Sequence, residues 1–103
     1  MDVLVTYDIA TVGREGERRL AQVAAICERY GTRVQQSVFE CRLDAASLER
    51  LKGELLDVIE AAEDQIDIYR FDRAVNDIRT TLGRSQPRGG AGSWIFGPTP
   101  NRR

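Results

Sequence analysis

Met1-Asp-Val-Leu-Val-Thr-Tyr-Asp8 is the stretch that decides the fold, because it alternates β-branched and aromatic residues with other side chains as a strand does. Successive side chains of a strand point to opposite faces of the sheet. The two faces carry Val3, Val5 and Tyr7 on one side and Leu4, Thr6 and Asp8 on the other. Since both faces are partly apolar, we expect helices to cover one face and another body, such as a second copy of the chain, to cover the other.

The apolar period changes downstream of this strand. A pliable loop with two glycines is expected over residues 10–16, followed by a helix from about Glu17 that Gly31 stops. The helix is predicted from apolar residues spaced three and four apart, namely Leu20, Val23, Ala24 and Cys27.

Residues 32–41 are rich in β-branched and aromatic side chains, so they are predicted to be extended. Two short strands that meet at a bend near Gln36-Ser37 are favoured, and one long strand is the alternative. Asp44 is predicted to cap a second helix. The apolar stripe of that helix is Leu48, Leu51, Leu55 and Ile59.

The last predicted strand of the core is 65–71, where apolar and polar residues alternate. The resulting order is the α+β, ferredoxin-like βαββαβ plan, with an antiparallel sheet and both helices on one face. We therefore assign residues 1–72 to a ferredoxin-like core, residues 73–92 to a short helix and flexible linker, and residues 93–103 to a C-terminal strand and polar tail.

Two apolar groups lie beyond the core. The short helix is predicted from Val75, Ile78 and Leu82. The tail contains an apolar island made of Trp94, Ile95 and Phe96. Because this island follows a glycine-rich linker and has no obvious place in its own core, we expect it to add as an extra strand to a sheet edge of a partner subunit or of another protein.

Composition excludes several classes of protein. The chain has 103 residues, is 42% hydrophobic and 30% charged, and contains no apolar run near the roughly 20 residues that a membrane helix needs. It contains no histidine, which excludes Ser-His-Asp and Cys-His nucleophiles and imidazole zinc sites. With no export signal, the cytoplasm is the expected compartment, and Cys27 and Cys41 are expected to be buried free thiols rather than a disulfide.

Charge is distributed unevenly although the formal net charge is -1. Residues 1–42 carry six acids and six arginines, residues 43–78 carry ten acids and four bases, and residues 79–103 carry five arginines and no acid. Fourteen of the fifteen basic residues are Arg, whose fork suits bidentate phosphate recognition. A GC-rich genome would give the same bias, so both explanations stay open.

Asp8 is the residue whose role decides the function. An aspartate at a strand end commonly accepts hydrogen bonds from backbone N–H groups of the following loop. It could instead bind Mg²⁺, a hard cation that usually takes one or two carboxylates and keeps several waters. One chain offers few convergent acids near Asp8, so a metal site is more plausible if a twofold axis brings two copies of it together.

Several further residues could contact a ligand. Arg14, Arg18, Arg19 and Arg33 bracket the first helix. They could bind the phosphates of a nucleic acid, or they could be solvated surface charge. Phe39 could stack on a base if it is exposed, although a role in the core or an interface is favoured. Tyr7 is expected to pack under a helix, and the acidic run 60–67 is interpreted as a solvated helix end.

Four separated segments together resemble a known family. They are the opening Val-Leu-Val-Thr-Tyr-Asp-Ile, the helix Arg-Arg-Leu-Ala-Gln-Val-Ala-Ala-Ile-Cys-Glu-Arg-Tyr-Gly, the segment Arg33-Val-Gln-Gln-Ser-Val-Phe-Glu-Cys41 and the segment Ile68-Tyr-Arg-Phe71. They are similar to the small CRISPR-associated endoribonuclease family of the spacer-acquisition module, the second of its two core proteins. The similarity extends from residue 1 to about residue 72, with weaker support from residues 93–96.

The resemblance implies a ferredoxin-like homodimer with Mg²⁺-dependent phosphodiesterase activity on RNA or double-stranded DNA, and Mn²⁺ is an alternative ion. It implies that Asp8 of each subunit lies near the twofold axis as catalytic residue and metal ligand. It also implies nucleic-acid contacts by Arg18, Arg19 and Arg33, a matching aromatic at Phe39, and a partnership with the integrase of the module. Some members have lysines where this chain has Leu20, Gln22 and Ala24, which weakens the basic surface expected there.

Three functions remain as hypotheses. The first is a metal-dependent nuclease. The second is a non-catalytic scaffold that bridges integrase subunits and holds duplex DNA along its arginines, with residues 94–96 as a docking strand; this is the favoured cellular role, because one carboxylate per subunit is a thin catalytic apparatus. The third, a regulatory module that binds a small ligand, follows from the fold alone.

Overall fold

A computed structural model describes residues 1–71 and 73–83 of the chain. Its strands and helices are β1 (Asp2–Asp8), α1 (Gly13–Tyr30), β2 (Gly31–Gln35), β3 (Val38–Arg42), α2 (Ala45–Val58), β4 (Gln65–Phe71) and α3 (Val75–Ile78). In this part of the chain, none of the helices is long and apolar enough to span a bilayer.

The four strands form one antiparallel sheet in the order β2-β3-β1-β4. This order confirms the predicted ferredoxin-like plan, because the two βαβ halves interlock through the central strands β1 and β3. The opening strand is thus paired on both sides, with Thr6 opposite Val38 of β3 and Asp8 opposite Gln65 of β4.

The hydrophobic core lies between the helices and one face of the sheet. Val3, Val5 and Tyr7 of β1 are at most 5% exposed, as the alternation predicted. They form one cluster with side chains of α1 and α2, namely Val23, Ile26, Cys27, Leu48, Leu51 and Leu55. The opposite face of the sheet, which carries Leu4, Thr6 and Asp8, is called the open face below.

The connection between β2 and β3 is the tight turn at Gln36-Ser37, so the prediction of two short strands is confirmed and one long strand is wrong. The Asp44 carboxylate accepts a hydrogen bond from the Ser47 N–H at 2.8 Å, which confirms the predicted cap of α2. Both cysteines are free and buried, as expected, and burial raises the pKa of Cys27 to about 12.

Two boundaries differ from the sequence prediction. Helix α1 begins at Gly13 rather than near Glu17, and Gly13 leads into the helix at a positive φ of 79°, a left-handed conformation that glycine adopts without strain. Helix α3 is only four residues long, and Ile78 and Leu82 are 44% and 70% exposed, so the apolar spacing of residues 75–82 overstated its length. The predicted linker and apolar tail, including Trp94, Ile95 and Phe96, lie outside the described residues.

The segment after β4 returns to the start of the sheet. The backbone N–H of Val75 donates to Asp2 Oδ2 at 2.8 Å, and the Arg79 guanidinium donates to Glu40 Oε2 at 2.6 Å. Asp2 and Glu40 both belong to the open face, since they lie opposite residues of that face in the register. The segment therefore covers the open face at the end remote from Asp8.

Gly16 sets how closely α1 can approach the end of β1. A Cβ added there would lie 2.2 Å from the Ala10 carbonyl oxygen and 2.9 Å from the Thr11 Cα. Both are backbone atoms, so the chain itself would have to move to admit even one methyl group. The close crossing holds the loop that leaves Asp8 against the helix.

We predict that Gly16→Ala destabilises the protein by roughly 1–3 kcal/mol, because the added methyl group overpacks this crossing. Gly53→Ala is the matched control, since Gly53 also lies in a helix and nothing stands within 4 Å of its added Cβ. That variant should gain up to about 1 kcal/mol from helix propensity. Urea denaturation of both variants checks this, and equal stabilities would contradict it.

Candidate functional site at the end of strand β1

Asp8 lies exposed at the end of β1, on the open face of the sheet. Among residues 1–71 and 73–83, no group makes a hydrogen bond or ion pair with its carboxylate. The interpretation that Asp8 binds the N–H groups of the following loop is therefore not supported. Its oxygens remain available to a ligand from solvent.

Asp64 performs the loop-binding role instead. Its Oδ1 accepts a hydrogen bond from the Ala10 N–H at 3.0 Å, and its Oδ2 accepts from the Glu60 N–H at 2.9 Å. Arg19 Nε donates to the same Oδ2 at 2.8 Å, and the Arg19 guanidinium also reaches the Ala10 carbonyl oxygen at 3.4 Å. The Asp64 side chain is fully buried, so this carboxylate is compensated on both oxygens.

The Asp64–Arg19 pair fixes the position of Asp8. Asp64 directly precedes Gln65, the register partner of Asp8 on β4, and Ala10 follows Asp8 by two residues. One buried carboxylate thus joins α1, the loop after β1 and the start of β4. This leaves Asp8 on a backbone that is anchored on both sides.

The sequence alone does not identify Asp64, because the acidic run 60–67 reads as a solvated helix end. That interpretation is wrong for Asp64, which is 8% exposed as a residue. The signal available in the sequence was its position immediately before an alternating strand, where a side chain can point back under the sheet. Burial raises the pKa of Asp64, but hydrogen bonds from Arg19 and from the Glu60 and Ala10 N–H groups outweigh burial, so the pKa lies below its ordinary value.

Asp67 is a second acid near Asp8 that the sequence did not indicate. It pairs with Thr6 in the register, so it lies on the open face, diagonally across the strands from Asp8. Diagonal neighbours in an antiparallel pair are about 7–8 Å apart, too far to share one direct contact but close enough to add negative potential. Gln65 donates a hydrogen bond to Asp67 Oδ2 at 2.9 Å, which holds that carboxylate in place.

Tyr7 packs into the core, as expected. It is 5% exposed, its hydroxyl donates to the Gln36 carbonyl oxygen at 3.0 Å, and its ring stacks on Phe39 with centroids 6.2 Å apart. Burial raises the pKa of Tyr7. Its hydroxyl is therefore a structural donor that ties β1 to the β2–β3 turn.

Phe39 is completely buried, so the hypothesis that it stacks on a base is wrong and the core role is the one found. Arg33 lies exposed on β2 with its guanidinium carbon 5.1 Å from the centre of the Phe39 ring, a cation–π contact. Phe39 thus contributes by orienting Arg33 at the edge of the sheet.

The predicted arginine cluster is divided in two. Arg14 and Arg18 are exposed, and neither has an ion-pair or hydrogen-bond partner within the described ranges. Arg19 is different, because its guanidinium is engaged by Asp64 and lies 3.6 Å from Glu63. Arg19 is therefore a positioning residue in this fold, and the expectation that it contacts nucleic acid is corrected.

The arginines and Asp8 lie on different sides of the sheet. Arg33 is opposite Phe39 in the register and so belongs to the helical side, as do Arg14 and Arg18 of α1, whereas Asp8 belongs to the open face. A nucleic acid that touches both would have to pass around the end of the sheet where β1 leaves it.

A metal ion could use Asp8, but one copy of the described chain supplies little else. Within residues 1–71 and 73–83, no three acidic or cysteine side chains gather in a way that could hold an ion. Mg²⁺ requires only one or two carboxylates when water completes its coordination. Two copies of Asp8 would therefore fit this ion, and one copy would hold it weakly.

Comparison with known proteins gives consistent results. The sequence profile of the family described as "CRISPR associated protein Cas2" matches residues 1–77. CRISPR-associated endoribonuclease Cas2 1 of Moorella thermoacetica is 46% identical over 71 residues, which are 69% of this chain and 74% of that protein. CRISPR-associated endonuclease Cas2 of Halalkalibacterium halodurans is 49% identical over 71 residues, with the same coverage of both proteins.

Solved structures agree with these sequence matches. The crystal structure of Streptococcus pyogenes Cas2 at pH 6.5 is similar with a TM-score of 0.73 and 41% identity, covering 81% of this chain and 100% of that one. The fold and the sequence therefore point to the same family, and the match includes β1 with Asp8.

We predict that Asp64→Asn lowers the free energy of unfolding by roughly 3 kcal/mol, because it leaves Arg19 beside a neutral amide in a buried site. Asp57→Asn is the matched control, since Asp57 is exposed on α2 and no described residue pairs with it, and it should change stability by less than about 0.5 kcal/mol. Chemical denaturation near neutral pH measures both.

The contribution of the Asp64–Arg19 pair to the free energy of unfolding should depend on pH. This dependence distinguishes the loss of the Asp64 charge from a change in side-chain packing. Because the folded pKa of Asp64 is depressed, its contribution is fully present above the ordinary value of 3.8 and is lost as the pH falls through the lower folded pKa. The stability difference between the wild type and Asp64→Asn should therefore narrow below about pH 4. A difference that stays constant with pH would contradict a charged Asp64.

Proposed function

This chain belongs to the CRISPR-associated Cas2 family, and we propose that it is a homodimeric, metal-dependent nuclease of that family that also serves as a scaffold for spacer integration. The resemblance seen in its four sequence segments is thereby confirmed. The single observation that carries the nuclease proposal is the exposed carboxylate of Asp8, which has no partner among residues 1–71 and 73–83 and lies at an anchored strand end.

The names of the relatives support phosphodiester cleavage. The protein from Moorella thermoacetica is named an endoribonuclease and that from Halalkalibacterium halodurans an endonuclease, so both RNA and DNA are candidate substrates here. Asp8 is a strong acceptor with no internal partner in the described ranges, as a ligand of a hard cation must be. Mg²⁺ is the ion we propose, and Mn²⁺ is the alternative.

Three groups of residues have separate roles in the proposed cleavage of a phosphodiester. When bound, the divalent ion supplies a polarised, more acidic water and neutralises charge at phosphorus. Asp8 holds the ion, and the Asp64–Arg19 pair keeps the backbone of Asp8 from shifting when charge develops. The exposed guanidinium groups of Arg14, Arg18 and Arg33 bind and orient the phosphates of the substrate.

The open face supports the dimer. Leu4 and Val38 are half-buried on this face, and Tyr69 is 51% exposed there. These apolar side chains lie between the segment 73–79, which covers one end of the face, and Asp8 at the other end. Two copies that pack by this surface around a twofold axis near Asp8 would bring the two Asp8 carboxylates together.

The scaffold is a second candidate and the cellular role that we favour. Its supporting observation is that no three acidic or cysteine side chains of the described residues gather in one copy of the chain, whereas Arg14, Arg18 and Arg33 are exposed to a nucleic-acid backbone. In this role the dimer bridges subunits of the integrase, with residues 94–96 as the docking strand.

The cytoplasm, where the two free thiols stay reduced, is the compartment we propose.

We predict that Asp8→Asn abolishes Mg²⁺-dependent cleavage of RNA or duplex DNA and leaves the thermal midpoint within about 2 °C of the wild type, since the Asp8 carboxylate makes no hydrogen bond or ion pair in the described ranges. Asp57→Asn should cleave as the wild type does. Full activity of a highly purified Asp8→Asn protein would disprove the metal-ligand role.

In cells, spacer acquisition should survive Asp8→Asn if the scaffold is the working role and fail if the nuclease is, and deletion of residues 93–103 should give the reverse.

We predict that Tyr69→Arg converts the dimer to monomer, because it places a charge in the apolar centre of the open face. Leu56→Arg is the control, since Leu56 is 67% exposed on α2, away from that face, and its variant should stay dimeric. Light scattering after size exclusion measures the mass. A Tyr69→Arg protein that keeps the dimer mass would show that the open face is not the interface.

A further inference from the structure

A basic cleft lies at the opposite end of β1 from Asp8. It has a volume of about 620 Å³, and Asp2, Arg42, Arg70, Phe71 and Arg73 are among the residues that line it. Three strands and the segment that leaves β4 meet at this point, because Asp2 is opposite both Arg42 of β3 and Phe71 of β4. The volume is in the range of ligand-binding pockets.

The charges in this cleft do not cancel. Asp2 is the one acid among the described lining residues, and both of its oxygens are occupied: Arg42 Nε donates to Oδ1 at 3.2 Å, and the Val75 N–H donates to Oδ2 at 2.8 Å. Three arginines therefore line a cleft in which the one described carboxylate is already hydrogen-bonded. With the N-terminal ammonium of Met1, the described lining has an excess of three positive charges, which favours an anion.

The guanidinium groups are available. The Arg42 side chain is 79% exposed and uses one N–H on Asp2, so its other N–H groups point elsewhere. Arg70 and Arg73 are exposed and have no hydrogen-bond or ion-pair partner in the part of the chain that the structure describes. Free N–H forks held around an open cleft are the arrangement that binds phosphate oxygens.

Arg70 is also unexpected for the fold. It pairs with Val3 in the register and so falls on the face of β4 that carries Ile66 and Ile68, where the alternation calls for an apolar residue. No helix terminus or described ion pair accounts for a cation at that position. A ligand outside the fold would account for it.

We propose that this cleft binds phosphate groups of a nucleic-acid backbone and is a second contact for the strand or duplex engaged near Asp8. Asp2 and Asp8 are six residues apart on one strand, which places the cleft about 20 Å from Asp8 at roughly 3.3 Å per residue. This separation corresponds to about six base steps of a duplex at roughly 3.4 Å each. A single nucleotide would fill one of the two sites, whereas a backbone that passes along the edge strand β4, outside the proposed dimer interface, can reach both.

The proposal rests on the nucleic-acid role proposed above, and the test separates the two. All proteins carry Asp8→Asn so that no probe is cleaved during measurement. Arg70→Ser with Arg73→Ser removes the two guanidiniums of the cleft that have no partner among the described residues, and Arg50→Ser is the control, because Arg50 is exposed on α2 and bonds only to Ser47 among those residues. The probes are fluorescein-labelled duplex DNA and single-stranded RNA of roughly 24 nucleotides, several times the expected span, and ATP as the free phosphate ligand.

Binding is measured by fluorescence anisotropy over a series of NaCl concentrations, with calorimetry for ATP. We expect the double variant to bind DNA or RNA more weakly and to lose about two from the slope of log affinity against log salt, about one for each arginine. The Arg50→Ser protein should keep both the affinity and the slope. Unchanged affinity and slope in the double variant would overturn the proposal, and so would a loss confined to ATP.

The proposed nuclease function is tested separately, by measuring cleavage with proteins that keep Asp8. If the protein with wild-type Asp8 cleaves nucleic acid and the cleft variant binds as its parent does, only the cleft proposal fails. If neither binding nor Mg²⁺-dependent cleavage is found for the wild type, both proposals fail. Circular dichroism of the double variant should match the parent, since both residues are exposed.

Discussion

The fold and its site depend on one buried ion pair, Asp64 with Arg19. The carboxylate is fully buried and would be costly alone, but Arg19 and two backbone N–H groups satisfy it on both oxygens. Because those partners come from α1, the loop after β1 and the turn before β4, the pair ties together three segments that are distant in sequence. Gly16 permits the same approach by carrying no side chain at the crossing.

Around this ion pair, residues that hold the fold together lie next to residues that can bind a ligand. Tyr7 and Phe39 are buried in the core, and Arg19 is paired with Asp64. In contrast, the side chains of Asp8, Arg14 and Arg18 make no polar contact within the described residues. The groups left over are an acid on the open face and bases on the helical side. This division suits a protein that holds a polyanion around the end of its sheet and presents a carboxylate to it.

Much of the fold could be predicted from the sequence because each element has a strong local signal. The alternation in β1, the capping Asp44 and the turn at Gln36-Ser37 are local properties, and all three were confirmed. Asp64, Arg19 and Asp67 could not be assigned, because their environments arise from contacts across 45 residues or from register between strands. The burial and the neighbours of these residues depend on the tertiary structure, which the order of charged residues along the chain does not reveal.

The central claim is that two copies of Asp8 converge on one divalent cation beside a nucleic acid. The most direct measurement is a titration of the dimer with Mn²⁺ followed by electron paramagnetic resonance, which counts bound ions. The account predicts one ion for every two chains, lost in Asp8→Asn. One ion per chain, or binding that persists without the Asp8 carboxylate, would contradict it.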